Sequence, residues 1–106
     1  MDNRRLLELA AKAAGYDVYG RHHPKDCLNV LKDGSVYLWS PSTWDSDAFR
    51  LAVKLKMEID IVIDGVAVRH SSGIKTLCGY MEFNDECETL RAAITRCAAS
   101  IGERMQ

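Results

Sequence analysis

The side chains able to do chemistry in this sequence fall into four groups, and each suggests a different activity. His22, His23 and Cys27 lie in RHHPKDC, where imidazole and thiolate ligands could approach a metal ion. Asp60 and Asp64 in EIDIVID, and Asp45 with Asp47 in WDSDAF, are carboxylates of the kind a metal-dependent nuclease clusters. His70 stands before Ser71 and Ser72, a base beside two hydroxyls. Trp39, Trp44 and Arg50 in LWSPSTWDSDAFRLAVKL are the residue types that anchor protein interfaces, with Lys54 one turn after Arg50.

The first three groups lack the surroundings their chemistry needs. Adjacent histidines in a Pro-containing loop read as polar loop residues, and the four cysteines form no C-x-x-C pair. Asp60 and Asp64 would share one solvated strand face with Val62 between them, and Asp45 and Asp47 have an electrostatic reason to sit at a helix start. His70 and the following serines are loop neighbours not expected to face each other, with no strained elbow to aim them. There is no GK[ST] phosphate loop and no H-E-x-x-H. Neither a catalytic residue nor a cofactor is therefore expected; His22, His23 and Cys27 stay the weak metal candidates.

Composition narrows the classes further. At 106 residues the chain is expected to be one domain, 1–106, with 47% hydrophobic and 27% charged residues. A net charge of −1 with no basic stripe argues against nucleic-acid binding, whose affinity comes from neutralising phosphates. MDNRRLLELAAKAAG mixes acid and base through a helical pattern, unlike a signal peptide, and no apolar run is long enough to span a membrane. A cytoplasmic protein with reduced thiols is the expectation.

Local signals order the elements that would position these groups. Asp2 can cap an opening helix with Leu6, Leu9, Ala10 and Ala13 on one face; Gly15 ends it, and Tyr16 packs back on the last turn. LNVLKDGSVYLW reads as a hairpin turning at Asp33-Gly34, with Tyr37 and Trp39 on one strand face. Pro41 stops that strand, Asp45 is expected as the next N-cap, and Trp44 and Phe49 have hydrophobic-staple spacing. Ala48, Leu51, Ala52 and Leu55 follow at helical spacing, leaving Arg50 and Lys54 outside. EIDIVIDGVAVRH is expected to turn at Asp64-Gly65, and TLCGYMEF is a last strand where Gly79 marks a bulge or close approach. Asp85 and Glu88 have capping-box spacing before a helix with Leu90, Ala93, Ile94, Cys97, Ala98, Ile101 and Met105 in its stripe. Short turns imply antiparallel pairing. The expected class is α+β, a three-layer α/β/α sandwich with an antiparallel or mixed central sheet flanked by three helices; all helices on one face is the alternative.

The stretch W-S-P-x-x-W-D-S-D-A-F-R-L-A-V-K-L resembles a motif of the phage ABA sandwich domain family, small tailed-phage and prophage proteins. There a Trp-x-Pro leads to Asp-Gly-Asp-Ala and a helix reading R-L-A-V-K-L. Trp39, Pro41, Asp45, Asp47, Ala48 and Arg50 through Leu55 match it, with Ser46 in place of the glycine. RRLLELAAKAAGY and TLRAAITRCAASIG are similar to the family's opening and closing helices. The resemblance implies a helix–sheet–helix sandwich and a phage or prophage origin, in a bacterial host cell, and brings no catalytic residues.

Residues and resemblance together point to a non-enzymatic phage accessory protein that binds a protein partner, such as a host or defence factor, through Trp39, Trp44, Arg50 and Lys54. A homo-oligomeric scaffold module is the first alternative, and a small metal-dependent nuclease the second.

Overall fold

The computed structural model describes residues 2–20 and 23–105. Its elements run α1 (Asn3–Ala14), β1 (Asp17–Val18), β2 (Leu28–Lys32), β3 (Ser35–Trp39), α2 (Asp45–Lys54), β4 (Glu58–Val62), β5 (Gly65–Arg69), β6 (Lys75–Gly79), a 3-10 turn (Tyr80–Glu82) and α3 (Glu86–Arg104). The fold is α+β and the pairing antiparallel. The strands do not form one central sheet, however: β1-β2-β3 make one three-stranded sheet and β4-β5-β6 another. The expectation of a single sheet fails because each meander pairs only within itself, and α2 is inserted between them.

Local chemistry accounts for the ends. Asp2 accepts the Arg5 N–H at 2.8 Å and caps α1. Gly15 takes φ 80°, its N–H goes to the Lys12 carbonyl, and the Tyr16 N–H goes to that of Ala11. These are the two bonds of a Schellman motif, which glycine permits because it has no Cβ to strain in the left-handed region. Asp85 caps α3 through the Glu88 N–H at 2.7 Å, while the Glu88 carboxylate reaches back to Asn84.

The two hairpins solve their turns differently. In the first, Lys32 pairs with Ser35, and Asp33 and Gly34 turn with φ 51° and 81°, as a type I′ turn requires. In the second, Val62 pairs with Gly65, so the turn is Ile63-Asp64, not the expected Asp64-Gly65. Gly65 is consumed by the sheet: it pairs with Gly79, and a Cβ there would run into the Cys78 carbonyl oxygen. Ile63 is pushed out of the ladder and stands 98% exposed.

The core gathers on α3, which packs along α1 and also touches β5, β6 and α2. Leu7, Ala10 and Ala14 of α1, Leu28 and Val30 of β2, Leu51 of α2, Val68 of β5, and Ala93, Cys97 and Ala98 of α3 are buried in it. Small residues let α1 and α3 approach closely; a Cβ on Gly102 would overlap the Leu9 backbone. Among the described residues no helix is long and apolar enough to cross a membrane.

Candidate functional site

The corner between β3 and α2 is built around Ser40. Its buried carbonyl accepts the N–H groups of Thr43 (3.1 Å) and Trp44 (2.9 Å), and its hydroxyl donates to Thr43 Oγ1 at 2.9 Å. The Ser40 N–H donates to Asp47 Oδ2 at 2.9 Å, tying the strand end to the first turn of α2. Arg91 of α3 then fastens the corner from outside, its Nε on the Ser42 carbonyl (3.2 Å) and its Nη1 on Asp45 Oδ1 (2.5 Å). Asp45 is consequently not the N-cap. Trp44 holds that position with no side-chain bond, and Asp45 is the first helical residue. The staple is absent as well: Phe49 is 70% exposed and Trp44 39%.

The four proposed interface residues are only partly brought together. Trp39 is 6% exposed and meets Tyr16 edge-on, with ring centroids 5.7 Å apart. It forms the floor of a cleft of about 330 Å³ between the first sheet and α2, which Tyr16, Lys32, Tyr37, Asp47 and Arg50 also line. Lys54 and Lys32 stand over the Tyr16 ring, their Nζ atoms 5.0 and 5.2 Å from its centroid. Trp44 lies outside this cleft. The cleft thus has an aromatic floor lined by two bases, Lys32 and Arg50, and two acids, Asp33 and Asp47, and Lys54 adds a third cation over the Tyr16 ring. Asp47 accepts the Ser40 N–H, which holds it in place.

On the other side of α2 lies an apolar groove of about 420 Å³, between α2 and α3. Ala48, Ala52, Leu90 and Ile94 line it together with the exposed Phe49 and Val53, and its charged residues are Lys56 and the ion pair of Asp45 with Arg91.

The remaining candidates sit apart. His23 accepts the Asn29 N–H on Nδ1 at 3.0 Å, Cys27 is buried, and His22 lies outside the described residues. Among the described residues no three His, Cys, Asp or Glu side chains are grouped as a metal ion would require. Asp60 is paired diagonally across the sheet with Arg69 at 2.5 Å, and that carboxylate holds the guanidinium's pKa above its ordinary value. Asp64 is in the turn, where its carbonyl accepts the Tyr80 N–H, so the two carboxylates do not share a strand face. His70 and Ser72, by contrast, do face each other, with Nδ1 to Oγ 2.8 Å. The Ser72 N–H also donates to that nitrogen at 3.1 Å. A single ring nitrogen shared between a hydroxyl and its own backbone is turn geometry, and an exposed one.

No protein-family model, curated protein or solved structure matches this chain. What the site can do is therefore read from its own groups. An aromatic floor with a cationic rim can hold an acidic segment of another macromolecule, through charge-assisted bonds and cation–π contacts. Burial pushes the Cys27, Cys78 and Cys97 thiols above their ordinary pKa, which keeps them protonated and poorly nucleophilic.

Tyr16, Lys32 and Arg91 escaped sequence reasoning. Tyr16 had a local signal, its position after a helix-ending glycine, but that signal says nothing of Trp39, 23 positions on. Arg91 reaches a carbonyl 49 residues away and carries no local mark at all.

Proposed function

We propose that this protein binds a protein partner without catalysing a reaction on it, and that the cleft over Trp39 is where the partner docks. The observation carrying this reading is the concentration of Lys32, Arg50 and Lys54 around an aromatic floor in a chain whose net charge is −1. The partner segment is acidic, with an apolar or aromatic anchor that enters between Tyr37 and Arg50. Trp and Arg are the side chains that most often carry binding energy in such sites.

Within the same proposal the protein is a phage or prophage accessory factor acting in the bacterial cytoplasm on a host or phage protein. This part rests on the three sequence blocks that resemble the phage sandwich proteins.

Affinity capture from host or infected-cell lysate, with mass spectrometry, tests the reading. The expected result is one stoichiometric protein whose retention falls steeply with salt and is lost on Arg50→Glu with Lys54→Glu. Capture that survives this charge reversal would place the docking face elsewhere.

A further inference from the structure

We infer that Arg91, a residue of α3 that does not line the Trp39 cleft, is the positioning residue that sets Arg50 and Lys54 over it. The functional meaning of this rests on the docking reading above; the placement of α2 does not. The cleft lies between parts that are seated separately. β1 and β2 lie against α1, whereas the helix that α2 lies against is α3. How α2 faces the first sheet is therefore decided chiefly at the Ser40 corner and on α3.

The buried residues of α2 are Ala48, Leu51 and Ala52. Two of them are alanines, whose single methyls offer little to stop the helix rolling about its axis. Arg91 supplies that stop. Its Nε holds the Ser42 carbonyl at 3.2 Å and its Nη1 holds Asp45 Oδ1 at 2.5 Å, so one guanidinium grips the chain on both sides of Trp44. A planar fork fixes two acceptors in one orientation, which a point-charge ammonium does not. With 3.6 residues per turn, Lys54 stands about 180° round α2 from Asp45, and Arg50 about 140°. Holding Asp45 on the α3 side thus turns both cations toward the cleft. The two arms differ in weight. Asp45 is 74% exposed and solvent screens that arm, whereas the bond to the Ser42 carbonyl is part-buried and dominates.

The cleft carries its own gauge of this placement. Lys54 and Lys32 both stand over the Tyr16 ring, but Lys54 belongs to α2 and Lys32 to β2. A roll of about 30° carries a group on the helix surface, roughly 5–6 Å from the axis, by about 3 Å. From its 5.0 Å, that takes Lys54 outside the roughly 6 Å reach of a cation–π contact and leaves Lys32 where it is.

NMR of the full chain with isotope-labelled lysine tests this, because the Tyr16 ring current shifts the side-chain protons of both lysines upfield. In Arg91→Met, which keeps the apolar stem and loses both bonds, the Lys54 shift is expected to vanish and the Lys32 shift to persist. The same variant is expected to bind a fluorescein-labelled Glu-Glu-Trp-Glu-Glu peptide about tenfold more weakly by anisotropy, as for a cleft in its binding geometry about a tenth of the time. Asp45→Asn cuts only the screened arm, and its affinity is expected to stay within about twofold of wild type. Arg91→Lys is expected to fall between Arg91→Met and wild type in both readouts. A Lys54 shift that survives Arg91→Met in a chain still folded by circular dichroism overturns the inference. So does loss of the Lys32 shift in step with it, which means general loosening. Should Arg91→Met not fold, an unmoved Lys54 in Arg91→Lys overturns it equally. A wild type that does not bind the peptide counts against the docking reading instead, and the lysine shifts still decide the placement of α2.

Discussion

Replacing Gly102 by alanine sets two physical effects of opposite sign against each other. Gly102 is helical, and in an isolated helix the change would add about 1 kcal/mol of stability through propensity alone. In this fold the added methyl would point at α1, with the Leu9 carbonyl carbon 2.8 Å and its Cα 3.2 Å away, and the carbonyl oxygen nearer still. Carbon atoms in good contact sit at roughly 3.5–4.0 Å. Relief therefore requires the two helices to part by something near 1 Å, at the contact that seats Leu7, Ala10 and Ala98 in the core. The obstacle is backbone, which cannot rotate aside as a side chain would. Overpacking of this kind costs about 1–3 kcal/mol, and an unyielding backbone puts the site at the upper end, so the clash wins over propensity. The expected outcome is a net loss of about 1–2 kcal/mol once the propensity gain is subtracted, read by urea unfolding followed at 222 nm with an unchanged denaturant slope. In a domain of this size that corresponds to a fall in Tm of roughly 5–15 °C. Stability equal to or above wild type would refute the close approach of α1 and α3.

Three further outcomes are expected. Cys87 is exposed while Cys27, Cys78 and Cys97 are buried, so one thiol should react with Ellman's reagent at once and the others only on unfolding. Because burial raises those three pKa values, the unfolded chain loses its thiol protons first as pH rises past the ordinary thiol range of about 8.5. The unfolded state then binds fewer protons than the folded one, so stability is whole below that pH and falls as pH climbs through the raised values; an unfolding midpoint that is flat into the alkaline range would contradict this. Trp39→Ala should cost about 3–5 kcal/mol as a buried aromatic truncation, whereas Trp44→Ala should cost well under that. Acrylamide quenching should correspondingly strip the Trp44 emission and spare that of Trp39, and equal quenching of both would sink the assignment.

Features that depend on neighbours in the chain are legible in the sequence alone. Asp2, Gly15 and Asp85 act within a turn of themselves, and Asp33-Gly34 needs only its own backbone angles. The apolar stripes of α2 and α3 follow from helical spacing and point inward, except at Met105, which lies past the last turn of α3 and is exposed; on α1 the core-facing residues are Leu7, Ala10, Ala11 and Ala14, rotated from the expected Leu6, Leu9, Ala10 and Ala13, and Leu6 lies outside the core. The helix face carrying Arg50 and Lys54 is equally legible, because being outside is the complement of that stripe.

What failed at this level involved a second segment. Asp64-Gly65 has the same dipeptide as Asp33-Gly34 but not the same turn, since the close pairing of Gly65 with Gly79 claims the glycine for the ladder. Asp45 has the side chain of an N-cap but binds Arg91, while the Ser40 turn hands the cap position to Trp44. Composition could not say whether Trp39 would be surface or core; Tyr16 and the floor of the cleft decided that. Nor could it say that strands with one pairing sense would settle into two sheets. Sequence by itself determined the three helices and five of the strands, where most of them end, and which faces of α2 and α3 are apolar, because short-range sterics and hydrogen bonds fix those; it missed β1 and ran the last strand on through Tyr80–Glu82, which form a 3-10 turn. Tertiary structure alone decided the strand register, the burial of Trp39 and the cationic cleft above it, because each depends on groups that meet only once distant segments have closed on one core.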